Sequence, residues 1–562
     1  MRGGRAQEGV IGTVSSLPPV PPAPSRTAVE PPEGRAGTST SAGGGDADPT
    51  AQEAVVRPAT VLPTALDALA ARIAEATGTS PEVRVPDGSS GADVPTTGAT
   101  LRAHEVRPGD LFAALPGARA HGADYADQAL DRGAVAVLTD PAGATRPAVG
   151  TVPTLVHPQP REALGPACSR LYGDPSAHLA LLGITGTSGK TTTVYLLEAA
   201  LAAAGTTTGL IGTVETRMHG RRVPSAFTTP EAPDLQALLA AMVEQGVSHA
   251  AMEVSSHALA QGRVSGTRYA VGAFTNLSAE HLDFHPTMED YFAAKARLFD
   301  GRADRHVVCV DDAWGRRLAD SVAATTVSTT GPADWTAADV VAHPDGSQSF
   351  RALGPDGLAL PVTLRLPGAF NVANALVALA CGHATGLDPE RLAAGLATVT
   401  VPGRMQRVEA GQPFLAVVDY AHKPAAVEAL LRTLRTQVDG RVLTVLGCGG
   451  DRDREKRPVM GALAAQLSDL VWITDDNPRS EDPAAIRAAM LDGARVASDA
   501  RAIVAEEGDR RAAIRAAVAA ARPGDVVVVA GKGHELGQKV GARTLPFSDV
   551  DELTTALGEE PA

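Results

Sequence analysis

Gly189, Lys190 and Thr191, within LLGITGTSGKTTT from Leu181 to Thr193, are the residue types that hold a polyphosphate. Backbone N–H groups of a glycine loop and the positive end of a helix attract the anion, a lysine adds a compact charge, and a threonine hydroxyl reaches magnesium. The usual spacing, G-x-x-x-x-G-K-[ST], would put a glycine at position 184; Ile184 stands there instead, and the glycines are Gly183 and Gly186. The apolar run 179–182 reads as a strand, and KTTTVYLLEAALAAAG reads as a helix ending at Gly205. Phosphate binding by itself leaves a kinase, an ATPase switch and a ligase open.

Three further side chains suit a hard metal. Glu253 ends an apolar run in MEVSSHAL, His281 lies in NLSAEHLDFH, and Lys295 follows fourteen residues later in YFAAKARLF. Lysine is scarce: of 50 basic residues only six are lysine, at 190, 295, 423, 456, 532 and 539. A retained lysine is expected to do what a guanidinium does not, such as act as a point charge on phosphate or react as a free amine. Beside magnesium, a lysine amine that takes up carbon dioxide becomes a carbamate, an oxygen ligand for a hard cation. Near the C-terminus, Arg452 in GCGGDRD and Arg479 in DDNPRSEDP offer planar forks for carboxylates, and Glu535 in GKGHE offers a partner for an ammonium. Two cationic forks and an anion suit an amino acid with a second amino-carboxylate end.

The elements that must position these groups follow one rhythm of apolar run, polar loop and helical stretch. HAAMEVSSHAL, AVGAFTNLSAEH, LAVVDYAHKP, RVLTVLGCGGDRD, DLVWITDDNPRSEDP and DVVVVAGKGHE all show it. Val/Ile/Leu runs between Ala-rich helices predict mostly parallel sheets covered on both faces, with ligands at the carboxyl ends of the strands. The divisions expected are a disordered Pro/Gly/Ser/Ala-rich tail at 1–62, then α/β segments at 63–178, 179–400 and 401–562.

Composition narrows the classes. The chain has 562 residues, enough for several cores, with 44% hydrophobic and 20% charged residues, and no apolar run long enough to cross a membrane. The start carries no apolar stretch of a secretory signal, and four separated cysteines give neither a disulfide framework nor a zinc site. A cytoplasmic setting is the expectation, with small-molecule substrates, a monomer, and no membrane insertion. The net charge of -14 argues against a broad nucleic-acid surface.

In order along the chain, GITGTSGKTTT, FTTPEAPD, MEVSSHAL, NLSAEHLDFH with YFAAKARLF, GAFNVANALVA, DYAHKP, GCGGDRDREKRP, DDNPR and AGKGHE resemble the motifs of the Mur ligases, the amide ligases of peptidoglycan precursor synthesis. The likeness runs from about residue 63 to the C-terminus, is strongest to the diaminopimelate-adding branch, and includes the glycine spacing at 183 and 186. It implies a three-domain α/β fold: a small N-terminal UDP-binding domain, a central P-loop ATPase domain and a C-terminal Rossmann-like domain. It also implies ATP, two magnesium ions and carbamylated Lys295 as cofactors, and an acyl-phosphate route.

Residue by residue, the resemblance implies that Thr187, Ser188, Gly189, Lys190, Thr191, Thr192 and Thr193 hold ATP, with Asn371 and Asn374 on the adenine side and Arg404, Asp419 and His422 meeting the nucleotide from the last domain. Thr191 and Glu253 would bind one magnesium; His281 and carbamylated Lys295 would bind the second. Thr228, Thr229, Ser255, Gln261 and Arg263 would contact the UDP-sugar peptide. Arg452, Asp476, Asn477, Pro478, Arg479, Gly531 and Glu535 would form the diaminopimelate pocket. Two motifs depart from the family: Arg102-Ala103-His104 replaces its Asp-Ser-Arg near uracil, and Lys423 replaces its threonine in DYAHKP. A lysine-adding ligase, a folylpolyglutamate synthetase and a P-loop kinase or nucleotide-gated binder are the competing readings.

Overall fold

The computed structural model describes residues 56–86, 90–224 and 227–559. Three sheets carry the architecture. The first has five strands, of which Gly98–Thr100, Asp110–Ala113, Ala136–Thr139 and Thr154–Val156 run parallel and Glu82–Arg84 closes one edge antiparallel.

The second sheet has eleven strands. Its parallel centre runs Thr208–Ile211, His249–Glu253, Ala180–Thr185, Tyr269–Phe274, Ala303–Cys309, Thr325–Ser328, Trp335–Ala342 in spatial order. Antiparallel pairs extend it at both edges. From Ala180–Thr185 the chain steps first to one side and later to the other, so the order reverses there, which is where an open parallel sheet has its ligand crevice. The helices Lys190–Ala203 and Ala369–Ala384 pack together over this sheet, and Val194, Leu197, Leu201, Val372, Leu376 and Leu379 are fully or nearly fully buried between them and the strands.

The third sheet has six strands, in the order Gln406–Arg407, Leu415–Asp419, Val526–Ala530, Val442–Cys448, Leu470–Asp475, Ile503–Glu506; only the first is antiparallel. Asp419 pairs with Ala530 and Cys448 with Asp475, so the loops after these strands emerge side by side on one edge. DVVVVAG is buried on both faces, which is why it reads as an unbroken apolar run rather than an alternating one.

The expected tail differs in extent. Residues 1–55 lie outside the described residues. Residues 56–62, counted with the tail, are instead seated on the body: Arg57 makes two hydrogen bonds to the buried Asp110 carboxylate (2.6 and 2.9 Å), and the Ala59 and Thr60 N–H groups donate to Glu244 (2.7 and 3.0 Å). Nothing local in VRPATVL marks this anchor, because its partners lie some fifty and nearly two hundred residues away.

Candidate functional site

Gly183 is a strand residue facing the Tyr269 ring, which an added Cβ would meet at 2.7 Å; it serves packing. Gly186, at φ +149°, passes Thr275, whose Oγ1 would lie 1.9 Å from a Cβ. Gly189 is left-handed at φ +85° at the mouth of helix Lys190–Ala203 and abuts Asn374 Oδ1. The irregular spacing thus keeps one glycine for the strand and two for the loop. Asn276, just past the neighbouring strand Tyr269–Phe274, braces the loop, accepting from the Ser188 N–H (2.9 Å) and donating to its carbonyl (3.1 Å).

Lys190 folds back over the loop, its ammonium donating to the Gly186 and Thr187 carbonyls at 2.8 Å each. Lys295, on the helix Met288–Ala296 capped by Thr287, reaches the same Gly186 oxygen at 2.7 Å and lies over the Tyr291 ring at 4.4 Å. Its side chain is 1% exposed. Burial, and then the neighbouring Lys190, hold the Lys295 amine well below the usual lysine value. Burial also lowers Lys190, with Glu253 and Glu280 opposing.

Glu253 sits at its strand tip with both oxygens held by Thr213, from the N–H (2.8 Å) and the hydroxyl (3.0 Å). His281 has a left-handed backbone, φ 57°, and packs edge-on against His257. Burial pushes its imidazole down to about 4, with nearby cations assisting and Glu280 opposing. Glu280 is ion-paired with Lys423 of the third sheet's DYAHKP loop; burial works against its carboxylate, but Lys423, Lys190 and His281 together hold it below the usual value. Thr191, Thr192 and Thr193 open the helix beside these groups and are buried. The four candidates Lys190, Glu253, His281 and Lys295 are therefore brought together.

On the neighbouring wall, the Thr229 hydroxyl donates to the Glu253 carbonyl (2.9 Å) and accepts from the Ser255 N–H (3.2 Å), and Ser255 caps the helix Ser256–Ala260. Arg263 is held by Gln261 (2.8 and 3.0 Å) and Glu231 (3.0 Å), with half-buried Thr228 next to Thr229. Arg102 is tied to Asp234 of the second sheet's helix Ala232–Glu244, both bonds at 3.0 Å. Asn371 and Asn374 are buried behind the phosphate loop: Asn374 accepts from Thr193 and donates to Asn371, which donates to the Pro367 carbonyl. Of the two, Asn374 is the one that abuts the loop, at Gly189.

Across the cleft, Asp419 accepts the Met405 and Ala421 N–H groups (2.7 and 2.8 Å), and burial raises its carboxyl. Arg404 lies over the Tyr420 ring at 4.2 Å, and the same ring contacts His422 and His534. Burial pushes both imidazoles down to about 4.

The loops after the adjoining strands form a second cluster. Asp476 is buried and its Oδ1 has no hydrogen-bond partner; burial raises its carboxyl, against Arg510 and Lys532. The Asn477 amide donates to Glu535 Oε2 at 2.8 Å. Burial works against the Glu535 carboxylate, yet Asn477 and Lys532 hold it below the usual value. Arg479, left-handed at φ 52°, donates to the Gly450 carbonyl (2.8 Å), and Gly450 passes within 1.9 Å of the Pro478 oxygen, measured from an added Cβ. Gly531, at φ +117°, would place a Cβ 3.4 Å from Asp476. Arg452 is exposed on the 449–455 loop, which is tied to the Arg479 loop through Asp451 and Ser480 (2.7 Å) but leaves its guanidinium at the rim.

Residue types and spacing did not reveal Glu280, Thr213, Asn276 or Tyr291, each of which meets its partner only in the folded chain. Lysine scarcity was the available signal for Lys532 and Lys456, the latter donating to the His422 carbonyl at 3.0 Å. Among the described residues no group of three or more His, Cys, Asp or Glu side chains could hold a metal ion, and no helix is long and apolar enough to cross a membrane.

Family models describe three consecutive stretches: the Mur ligase family catalytic domain matches 96–172, the Mur ligase middle domain 184–382, and the Mur ligase glutamate ligase domain 403–533. A UDP-N-acetylmuramoyl-L-alanyl-D-glutamate--2,6-diaminopimelate ligase of Corynebacterium efficiens is 56% identical over 80% of this chain and 87% of its own. The protein of that name in Streptomyces coelicolor is 53% identical over 84% of this chain and 94% of its own. A solved structure of a ligase with the same name covers 84% of this chain and 96% of its own, with a TM-score of 0.63 at 34% identity. A phosphate loop flanked by Glu253 and Lys295, a facing α/β lobe with a second polar cluster, and these matches together establish that the chain belongs to the Mur ligase family.

Proposed function

We propose that the protein is an ATP-dependent amide ligase that joins meso-2,6-diaminopimelate to the D-Glu γ-carboxyl of UDP-N-acetylmuramoyl-L-alanyl-D-glutamate, a cytoplasmic step of peptidoglycan precursor synthesis. The observation that carries this reading is the pairing of two clusters: Lys190 and Lys295 on one carbonyl of the phosphate loop beside Glu253, and Asp476, Asn477, Arg479 and Glu535 on the strand tips of the facing lobe. The names and high identities of its relatives support the choice of substrate.

A carboxylate is a poor electrophile, so it is first activated. Its oxygen bonds to the γ-phosphorus of ATP as the bond to ADP breaks, and the Lys190 ammonium offsets the repulsion between the two anions. The amine lone pair then attacks the acyl carbon, phosphate leaves with its bonding pair, and a proton is released from nitrogen. In this reading Thr187 to Thr193 hold the phosphates, Arg404, Asp419 and His422 close on the nucleotide, and Thr228, Thr229, Ser255, Gln261 and Arg263 orient the UDP-sugar peptide. Arg479 and Arg452 take the far carboxylate, and Glu535 and Asp476 take the far ammonium.

The donor set fits magnesium. The Thr191 hydroxyl and the Glu253 carboxylate at its strand tip would hold one ion, and His281 with carbamylated Lys295 a second, with phosphate and water oxygens filling the remaining positions. When bound, magnesium would supply positive charge that offsets the repulsion among the phosphates and the acceptor carboxylate. Lys295 suits carbamylation: its amine is buried and held toward the neutral form, whose lone pair bonds to carbon dioxide with loss of a proton.

Phosphate release measured against a panel of amino acids tests the reading. Turnover is expected only with both the UDP-muramoyl dipeptide and meso-diaminopimelate present. Equal efficiency with lysine overturns the pocket assignment, and ATP turnover independent of any amine favours a kinase or nucleotide switch.

A further inference from the structure

Lys532 has no exposed surface, and the reaction just described gives it nothing to do. Its ammonium is spent on three acceptors, one on the recognition loop and two just downstream in its own segment: Asn477 Oδ1 at 3.2 Å, Glu535 Oε2 at 3.2 Å and the Gly537 carbonyl at 2.6 Å; Asp476 Oδ1 lies 3.6 Å away. An ammonium has three protons, so the set is complete. Gly537 begins the hairpin of Gly537–Val540 and Arg543–Pro546. That hairpin docks on the recognition loop through its backbone: the Lys539 N–H donates to Asn477 Oδ1 (2.8 Å), the Arg479 N–H to the Lys539 carbonyl (3.0 Å), and the Gly541 N–H to the Arg479 carbonyl (2.7 Å).

The consequence for the pocket is an orientation. Two donors, Lys532 Nζ and Lys539 N–H, converge on Asn477 Oδ1 and so fix which way the amide points; its NH₂ is left to face Glu535. Both bonds to Glu535 fall on Oε2, and its Oε1 carries none among the described residues. Arg479 is meanwhile held left-handed, a conformation that costs a non-glycine residue, by the hairpin rooted on Lys532.

We infer that Lys532 is a positioning residue for amino-acid selection: it locks Asn477, Glu535 and the root of the 537–546 hairpin into the one arrangement that presents Glu535 Oε1 and the Arg479 fork together. The inference rests on the proposed ligase reading and concerns affinity for the entering amino acid, not ATP.

Lys532→Met keeps the stem and removes the charge. Its KM for diaminopimelate is expected to rise at least about 30-fold, the lower end for removing one partner of a buried charge pair. KM values for ATP and the UDP-muramoyl dipeptide should stay near those of the parent, even though the melting temperature falls with the loss of a fully buried ammonium's three bonds. If Lys532 acts through Glu535, adding Lys532→Met to Glu535→Gln should raise KM for the amino acid much less than it does alone. Should Lys532→Met fail to accumulate as folded protein, Lys532→Arg, whose planar fork cannot occupy the site of a compact ammonium, is expected to give the same selective rise. An unchanged KM for the amino acid in whichever variant folds, a parallel loss in all three KM values, or full additivity with Glu535→Gln overturns the inference alone. Absence of diaminopimelate-dependent turnover in the unsubstituted protein refutes the ligase reading and the inference with it.

Discussion

Replacing Lys295 separates chemistry from architecture. In Lys295→Ala the Gly186 carbonyl keeps its bond from Lys190, so no buried acceptor is orphaned. The direct loss is one hydrogen bond, about 0.5–1.5 kcal/mol net. Three stem methylenes leave their contacts at about 0.8 kcal/mol each. Relief from burying a second amine beside Lys190 works the other way, so the folded state should lose only about 1–3 kcal/mol. Activity should fall much further, by about 10²- to 10³-fold, as when one preorganised transition-state group is removed. Lys295→Arg keeps a cation but cannot form a carbamate, and should be as inactive as Lys295→Ala. The assay is phosphate release at saturating substrates alongside thermal unfolding, with the alanine variant retested in added formate or acetate and the parent in carbon-dioxide-depleted buffer. Partial rescue by the small carboxylate, and recovery of the depleted parent with bicarbonate, are expected. An arginine variant that turns over at near-parental rate refutes the carbamate argument.

Arg479→Lys should raise KM for diaminopimelate roughly tenfold to a hundredfold, the worth of about 1.5–3 kcal/mol for a charged hydrogen bond, and leave KM for ATP unchanged; equal weakening for both substrates speaks against a fork devoted to the amino acid. Lys423→Met removes the cation paired with Glu280 across the two lobes, and small-angle scattering of the unliganded protein should report a wider separation; an unaltered profile denies the pair that role. Stability should fall as pH drops from about 6.5 toward about 4, because His422 and His534 are held neutral to about 4 when folded but take up protons near 6.5 once unfolded. These two groups add no further loss below that window. A melting temperature flat across it contradicts their buried, neutral placement.

Much of this architecture was legible because it is local. The run of apolar residues before each polar loop predicts a buried parallel strand, and a loop that follows such a strand directly has only one edge of the sheet on which to emerge. That logic placed Glu253, Asp419, Asp476 and Gly531 at strand tips, and the glycine loop before it placed Lys190 at the start of its helix. Lysine scarcity singled out Lys295, whose burial is now evident. Less legible were contacts between distant parts of the chain: Glu280 with Lys423 and Arg102 with Asp234, where lobes meet, and Arg57 with Asp110, where the N-terminal segment docks, each join residues whose separation in sequence carries no signal. Gly183 was counted with the phosphate loop because it lies beside it in sequence; only the Tyr269 ring packed against it reveals its other purpose. The departure at Arg102 similarly reads differently once its guanidinium is seen clasping Asp234 between two lobes.

The cross-lobe pair of Glu280 with Lys423 joins the lobe that carries the Gly186–Lys190 loop to the lobe that, in the proposed reaction, receives the amine. An inhibitor wedged at that seam need resemble neither nucleotide, sugar peptide nor amino acid. By prising the lobes apart it would silence both half-reactions at once, and resistance by altering any one substrate pocket would not restore them.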